Sequence, residues 1–113
     1  MQIINRSRNA ILAQNAALAD TPFTRIRGLL GKKELKPGEG LIISPCNSVH
    51  SFFMRFTIDV LFLDKEWRVI KTLPNFKPFR LSPIYFRAHL AIELPSGTVD
   101  STHTHPGDTL ALI

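Results

Sequence analysis

Turn-forming residues interrupt this chain so often that no long element fits between them. Pro37-Gly38, Pro45, Pro74, Pro78, Pro83, Pro95-Ser96-Gly97 and Pro106-Gly107-Asp108 leave apolar stretches only a strand long, such as Val60–Leu63. Short runs of β-branched and aromatic residues, spaced at roughly 8–12 residues, are the pattern of a β-sandwich or barrel. Strands are expected at Gln2–Asn5, Ala10–Leu18, Leu41–Ser44, Val49–Met54, Ile58–Asp64, Trp67–Leu73, Ile84–Leu94 and Thr109–Ile113. Ala10–Leu18 is alanine-rich, so a helix remains open there. Residues 74–83, with three prolines, read as a loop. Asp64-Lys65-Glu66 is the size of a hairpin connection, with Asp64 initiating the turn.

One helix is expected. Thr21 can cap it, and Pro22 suits its first position, where the missing N–H has no partner to lose. Phe23, Ile26, Leu29 and Leu30 repeat on one face, and Gly31 provides a left-handed stop. The resulting fold class is mostly β: a small antiparallel β-sandwich or barrel with one short N-terminal helix at about 22–30, forming a single domain over 1–113. Alternating βα units are absent from the pattern.

Composition limits the partners. A net charge of +5 permits weak attraction to nucleic acid, anionic membranes or acidic proteins, but the only adjacent basic pair is Lys32-Lys33. No basic segment leads into an apolar run at the N-terminus, and no apolar run is long enough to span a bilayer. One cysteine allows no internal disulfide. The expectation is a cytoplasmic protein, a monomer or weak dimer, with no membrane association.

Residues 46–64 concentrate the chemistry. Cys46, His50, Met54, Arg55, Asp59 and Asp64 are threaded through an apolar stretch. A polar group buried without a partner costs about 2–7 kcal/mol, so this segment either builds a site or satisfies its polar groups internally. Cys46-x3-His50-x3-Met54 is spaced like the ligand loop of blue-copper proteins, yet no histidine lies upstream to complete such a set. His103 and His105 share one side of an extended segment and, with His50, make a possible three-histidine set; a solvent-exposed loop explains them more simply.

Cys46 with His50 also admits a thiol nucleophile, which requires a lowered pKa and a base within reach. A small buried hydrophobe is the plainer reading of a lone cysteine. Asp59 and Asp64 are five apart and face opposite sides of a regular strand, which disfavours a shared acid–base pair. Asp59, set in Thr57-Ile58-Asp59-Val60-Leu61, needs a partner, which Arg27, Arg55 or a backbone turn would supply. Arg27 precedes Gly28, whose missing side chain permits close approach, and an arginine there can hold an anion bidentately. Residues 76–87 interleave Phe76, Phe79, Tyr85 and Phe86 with Lys77, Arg80 and Arg87. That mixture suits single-stranded nucleic acid. Aromatics anchoring a proline-stiffened loop to the core are the simpler account.

Several phrases occur in a telling order: Arg27-Gly28-Leu29-Leu30-Gly31, Gly38-Glu39-Gly40-Leu41, His50-Ser51-Phe52-Phe53-Met54-Arg55, Ile58-Asp59-Val60-Leu61-Phe62-Leu63-Asp64, Ala91-Ile92-Glu93-Leu94-Pro95-Ser96-Gly97 and Pro106-Gly107-Asp108. Over about residues 2–113 the chain resembles domain of unknown function 192, a family of small bacterial and archaeal proteins. The resemblance implies a compact, mostly β fold with an N-terminal helix insert, and no assigned reaction, cofactor or partner. One departure is local: relatives usually carry a glycine before the final Gly-Asp, where this chain reads Thr102-His103-Thr104-His105.

The functional expectation is a non-catalytic binding module for a small anionic ligand or a protein partner. Its candidate ligand-binding residues are Arg27, Cys46, His50, Arg55 and Asp59. Four of them, Arg27, His50, Arg55 and Asp59, are expected to converge on one cleft. An enzyme using Cys46 or His50, or a weak single-stranded RNA binder through 76–87, is the alternative. No catalytic residue is assigned, no cofactor or metal is expected, and nucleic acid is not the expected partner.

Overall fold

The computed structural model describes the backbone of residues 1–113 and every side chain except that of Ile26. Its elements are β1 (Ile3–Asn5), β2 (Ala10–Ala13), β3 (Asn15–Ala19), α1 (Pro22–Arg27), β4 (Glu39–Ile43), β5 (Ile58–Leu63), β6 (Val69–Phe76), β7 (Leu90–Pro95), α2 (Thr98–Thr102) and β8 (Leu110–Leu112). They form a three-stranded sheet ordered β2-β1-β8 and a five-stranded sheet ordered β3-β4-β7-β5-β6. The sheets do not close into a barrel. All pairs are antiparallel except β3–β4, which runs parallel because α1 and the turns after it carry the chain back across the sheet.

The five-stranded sheet is covered on both faces, which is why β5 is buried at all six positions and β7 at its first five. One face packs Ile42, Leu61, Leu63, Ile92 and Leu94 against Ile3, Leu12 and Leu110 of the smaller sheet, with Trp67 at the margin. The other packs Leu41, Ile43, Ile58, Val60, Phe62 and Ala91 beneath Leu29, Leu35, Val49 and Met54. Phe62 is fully buried there, worth about 1.5–3 kcal/mol of transfer free energy. A close approach fixes the register of β4: a Cβ on Gly40 would lie 3.1 Å from both Ala13 Cβ and Leu94 Cδ2.

The helix begins as expected, with Thr21 as cap, Pro22 in the first turn and Thr24 completing a reciprocal capping pair. It ends earlier than expected. Gly28, at φ 49 and ψ −125, caps it, and residues 29–31 turn. Consequently Phe23 points to solvent while Leu29 is buried, and the side chain of Ile26, expected on the same face, lies outside the described residues.

Three expected strands are corrected. Residues 51–57 form turns rather than a strand, because Ser51 donates and accepts in a tight exchange with residues 77–80. The strand placed at 84–94 begins only at Leu90. The strand placed at 67–73 starts at Val69 and runs through Pro74 to Phe76, since Trp67, at φ 61, belongs to the turn that Asp64 nucleates. There Asp64 Oδ1 accepts from the Glu66 and Arg68 N–H groups. A second helix, α2, was not expected; His103 ends it in a left-handed conformation at φ 55. A glycine adopts such a left-handed conformation without strain.

Candidate functional site

The face of the five-stranded sheet beneath α1 carries an acid at its centre. β7 is the middle strand, and Glu93 pairs with Leu41 on one side and Val60 on the other, both on the α1-covered face. Glu93 is 3% exposed, and no hydrogen bond or charged partner offsets its burial among the described residues. Burial alone, which penalises the charged form, pushes its pKa up to about 7.

Above it lies a cavity of about 80 Å³. Arg25, Arg27 and Gly28 from the end of α1 form one wall, and Cys46, Ser48, His50 and Met54 from the following loop form another. Gly28 brings its backbone over the acid, so that a Cβ there would lie 4.0 Å from Glu93 Oε1. Arg25 is half-buried and donates from Nη1 to the Pro45 carbonyl at 3.1 Å, while its buried Nε has no partner. Arg25 and Glu93 therefore enclose the same space without touching. The ion pair recorded among the described residues is Arg8–Asp108, at 3.0 Å.

The cavity's polar groups do not form a hydrogen-bonded nucleophile–base pair. The Cys46 thiol donates to the Ser48 carbonyl at 3.1 Å. Burial pushes its pKa up, and the Ser48 contact and the Arg25 charge do not reverse this. His50 is exposed, stacks on Phe52 at 5.3 Å and takes the Phe52 N–H at 3.3 Å, and no hydrogen bond joins it to the thiol. Cys46, His50 and Met54 do line one cavity, but no group of three or more His, Cys, Asp or Glu side chains is placed to hold a metal among the described residues. His105 Nδ1 lies 2.6 Å from the His103 carbonyl, a local contact within its own turn.

Of the five candidate residues, the structure brings together Arg27, Cys46 and His50. Arg55 is exposed and outside the cavity. Asp59 pairs with Leu94 across the strands and so points to the opposite face of the sheet. There it is fully buried and accepts from the N–H groups of Asn75 at 2.9 Å, Gly97 at 3.1 Å and Val99 at 2.8 Å. Its partner is thus a backbone turn, and neither arginine. The expected four-residue convergence is not what the fold builds. Arg25 and Glu93 escaped the sequence reading. The available signal was Glu93 itself, an acid at the centre of an apolar strand.

A mostly β, two-sheet protein with a helical crossover roofing a buried acid is the class that fold and cavity define. The chain belongs to domain of unknown function 192, described as uncharacterized ACR, whose family model matches residues 3–112. It is 35% identical to a UPF0127 protein of Pyrococcus horikoshii, over 96% of each chain. It is 32% identical to a UPF0127 protein of Thermococcus sibiricus, over 96% of this chain and 72% of that one. Two crystal structures share the fold. A Novosphingobium aromaticivorans protein of unknown function superposes with a TM-score of 0.84 at 20% identity, covering 98% of this chain and 82% of the other. A putative transcription regulator from Sinorhizobium meliloti gives 0.81 at 22% identity, covering 97% and 89%.

Proposed function

We propose that this protein is a binding module for a small anion, of carboxylate type, seated between Arg25 and Glu93. The reading rests on one observation: a buried carboxyl whose desolvation nothing offsets lines the same cavity as a buried arginine Nε that lacks a hydrogen-bond partner. Natural interiors rarely leave such groups unmatched, and the cost of each is about 1–3 kcal/mol. A carboxylate ligand matches both, accepting from the guanidinium and from the neutral Glu93 O–H. The volume limits it to on the order of five heavy atoms. Arg27, on the same wall, adds positive charge at the mouth.

Ionisation of Glu93 would place a second negative charge against the ligand, so affinity falls as the pH rises through about 7. The enzyme alternative draws less support, because burial raises the thiol's pKa, its hydrogen goes to the Ser48 carbonyl, and His50 is engaged with Phe52. An NMR titration with acetate tests the proposal. The Arg25 Nε–H and Gly28 N–H signals are expected to move together at about pH 6 and far less at about pH 8. No movement at tens of millimolar acetate, or equal movement at both pH values, overturns it.

A further inference from the structure

The segments 50–55 and 77–87 form a second surface that owes nothing to the cavity's chemistry. His50 bridges to Leu81, and the two segments are stitched by Ser51 N–H to the Arg80 carbonyl, Phe79 N–H to the Ser51 carbonyl and Ser82 N–H to the Val49 carbonyl. The buried hydroxyls of Ser51 and Ser82 complete the stitching, taking the N–H groups of Arg80 and Val49. Phe76 and Tyr85 anchor the second segment to the core, as the aromatic content led one to expect. The others do the opposite. Phe52, Phe53, Phe79, Leu81, Ile84 and Phe86 are all exposed, Phe53 by 78% and Phe86 by 86%. Arg55, Lys77, Arg80 and Arg87 are exposed among them, and no acidic residue occurs in 40–58 or 67–92.

We infer that this surface docks on an anionic membrane, with the apolar side chains entering the interface and the arginines and lysine meeting lipid phosphates. Three observations choose this occupant. Large apolar patches on a soluble surface mark interaction sites, and the charge here is of one sign. The two segments are tied to each other through Ser51, Phe79, Arg80 and Ser82, so the projecting side chains stand on a fixed base. The apolar set mixes aliphatic Leu81 and Ile84 with rings already paired to one another, Phe53 edge to face against Phe79 at 70° and Phe52 stacked on His50, rather than a row of free faces that stack nucleobases. Projecting tips also need no partner of matching shape in a fluid interface. The expectation from sequence was no membrane association, the net charge permitting only weak attraction; the exposure of these side chains argues otherwise.

Vesicle flotation tests this. Wild-type protein should float with vesicles of phosphatidylcholine containing about a third phosphatidylglycerol, lose binding in molar salt, and bind pure phosphatidylcholine at least tenfold less. Phe53→Asn with Phe79→Asn removes two exposed rings. Both residues have positive φ, which asparagine tolerates better than phenylalanine, so the fold is retained. That variant should lose at least tenfold in vesicle binding with an unchanged melting curve. A second variant, Arg80→Glu with Arg87→Glu, should lose the preference for anionic vesicles. No flotation of wild-type protein overturns the inference. So does flotation unaltered by the ring substitutions. Binding of single-stranded oligonucleotides that the ring substitutions abolish, without vesicle binding, assigns the surface to nucleic acid. Dimerisation abolished by the same substitutions, without vesicle binding, assigns it to a second copy of the chain.

Discussion

Replacing Glu93 by Gln should make the protein more stable at alkaline pH and leave it unchanged in acid. In the folded state the carboxyl titrates near 7 instead of its ordinary 4.5, and burial is the cause. The folded state thus binds more protons than the unfolded chain between those values. The stability associated with the neutral acid is fully present below about 4.5 and is lost as pH rises through about 7. A difference of about 2.5 units, at about 1.36 kcal/mol each, gives close to 3 kcal/mol lost by pH 8. Glutamine has nearly the same shape and cannot ionise, so the variant avoids that loss. For a chain of this size the gain corresponds to roughly 10 °C in Tm.

The assay is urea unfolding at several pH values from about 4.5 to about 8.5. Trp67, the only tryptophan, is partly buried against the core and reports the transition. Subtracting one stability–pH curve from the other cancels every other titrating group. The difference should be near zero at the acid end, rise steadily between about 4.5 and about 7, and level off above that. Parallel curves would refute the reasoning, because they would mean that the carboxyl is solvated or paired.

Three further outcomes follow from the contacts. Asp59→Asn should cost about 3 kcal/mol in chemical denaturation, since an amide offers one acceptor where the carboxylate serves three N–H donors. Gly28→Ala should cost about 1–3 kcal/mol through its positive φ, although the space for a methyl group exists; a neutral substitution would show that the helix end is not held as described. Cys46 should react slowly with a thiol reagent near neutral pH in the native protein and rapidly in denaturant, because burial keeps the thiol protonated; fast native labelling would restore the nucleophile reading.

The β-rich class and the helix start were legible because they depend on local chemistry. Proline and glycine set strand lengths, and Thr21-Pro22 sets a cap. Asp64 was legible as a turn initiator for the same reason. What escaped depends on tertiary partners. Val49–Met54 has a strand's composition, but Ser51 diverts its backbone to residues 77–80, 26 to 29 positions away in sequence. Asp59 and Glu93 look alike in sequence, each an acid in an apolar strand. Only the faces they take separate them: Asp59 meets two amides at the start of α2 and one in β6, and Glu93 meets a cavity. The parallel β3–β4 pair was invisible because Pro22–Arg27 is too short to resemble a crossover helix.

That parallel pair has a kinetic meaning. β5, β6 and β7 are antiparallel neighbours, and β5 and β6 are joined by a tight turn, so this pair can zip early from local contacts. β3 and β4 can meet only after residues 20–38 close as a loop, which costs entropy before any strand bond forms. The same loop supplies the wall of the cavity with Arg25, Arg27 and Gly28. Opening that edge would therefore uncover Glu93 while the central strands stay paired, providing a route for a ligand to enter a closed site without global unfolding. A bound anion would hold the edge shut, and its presence should be readable as slowed amide exchange along β3.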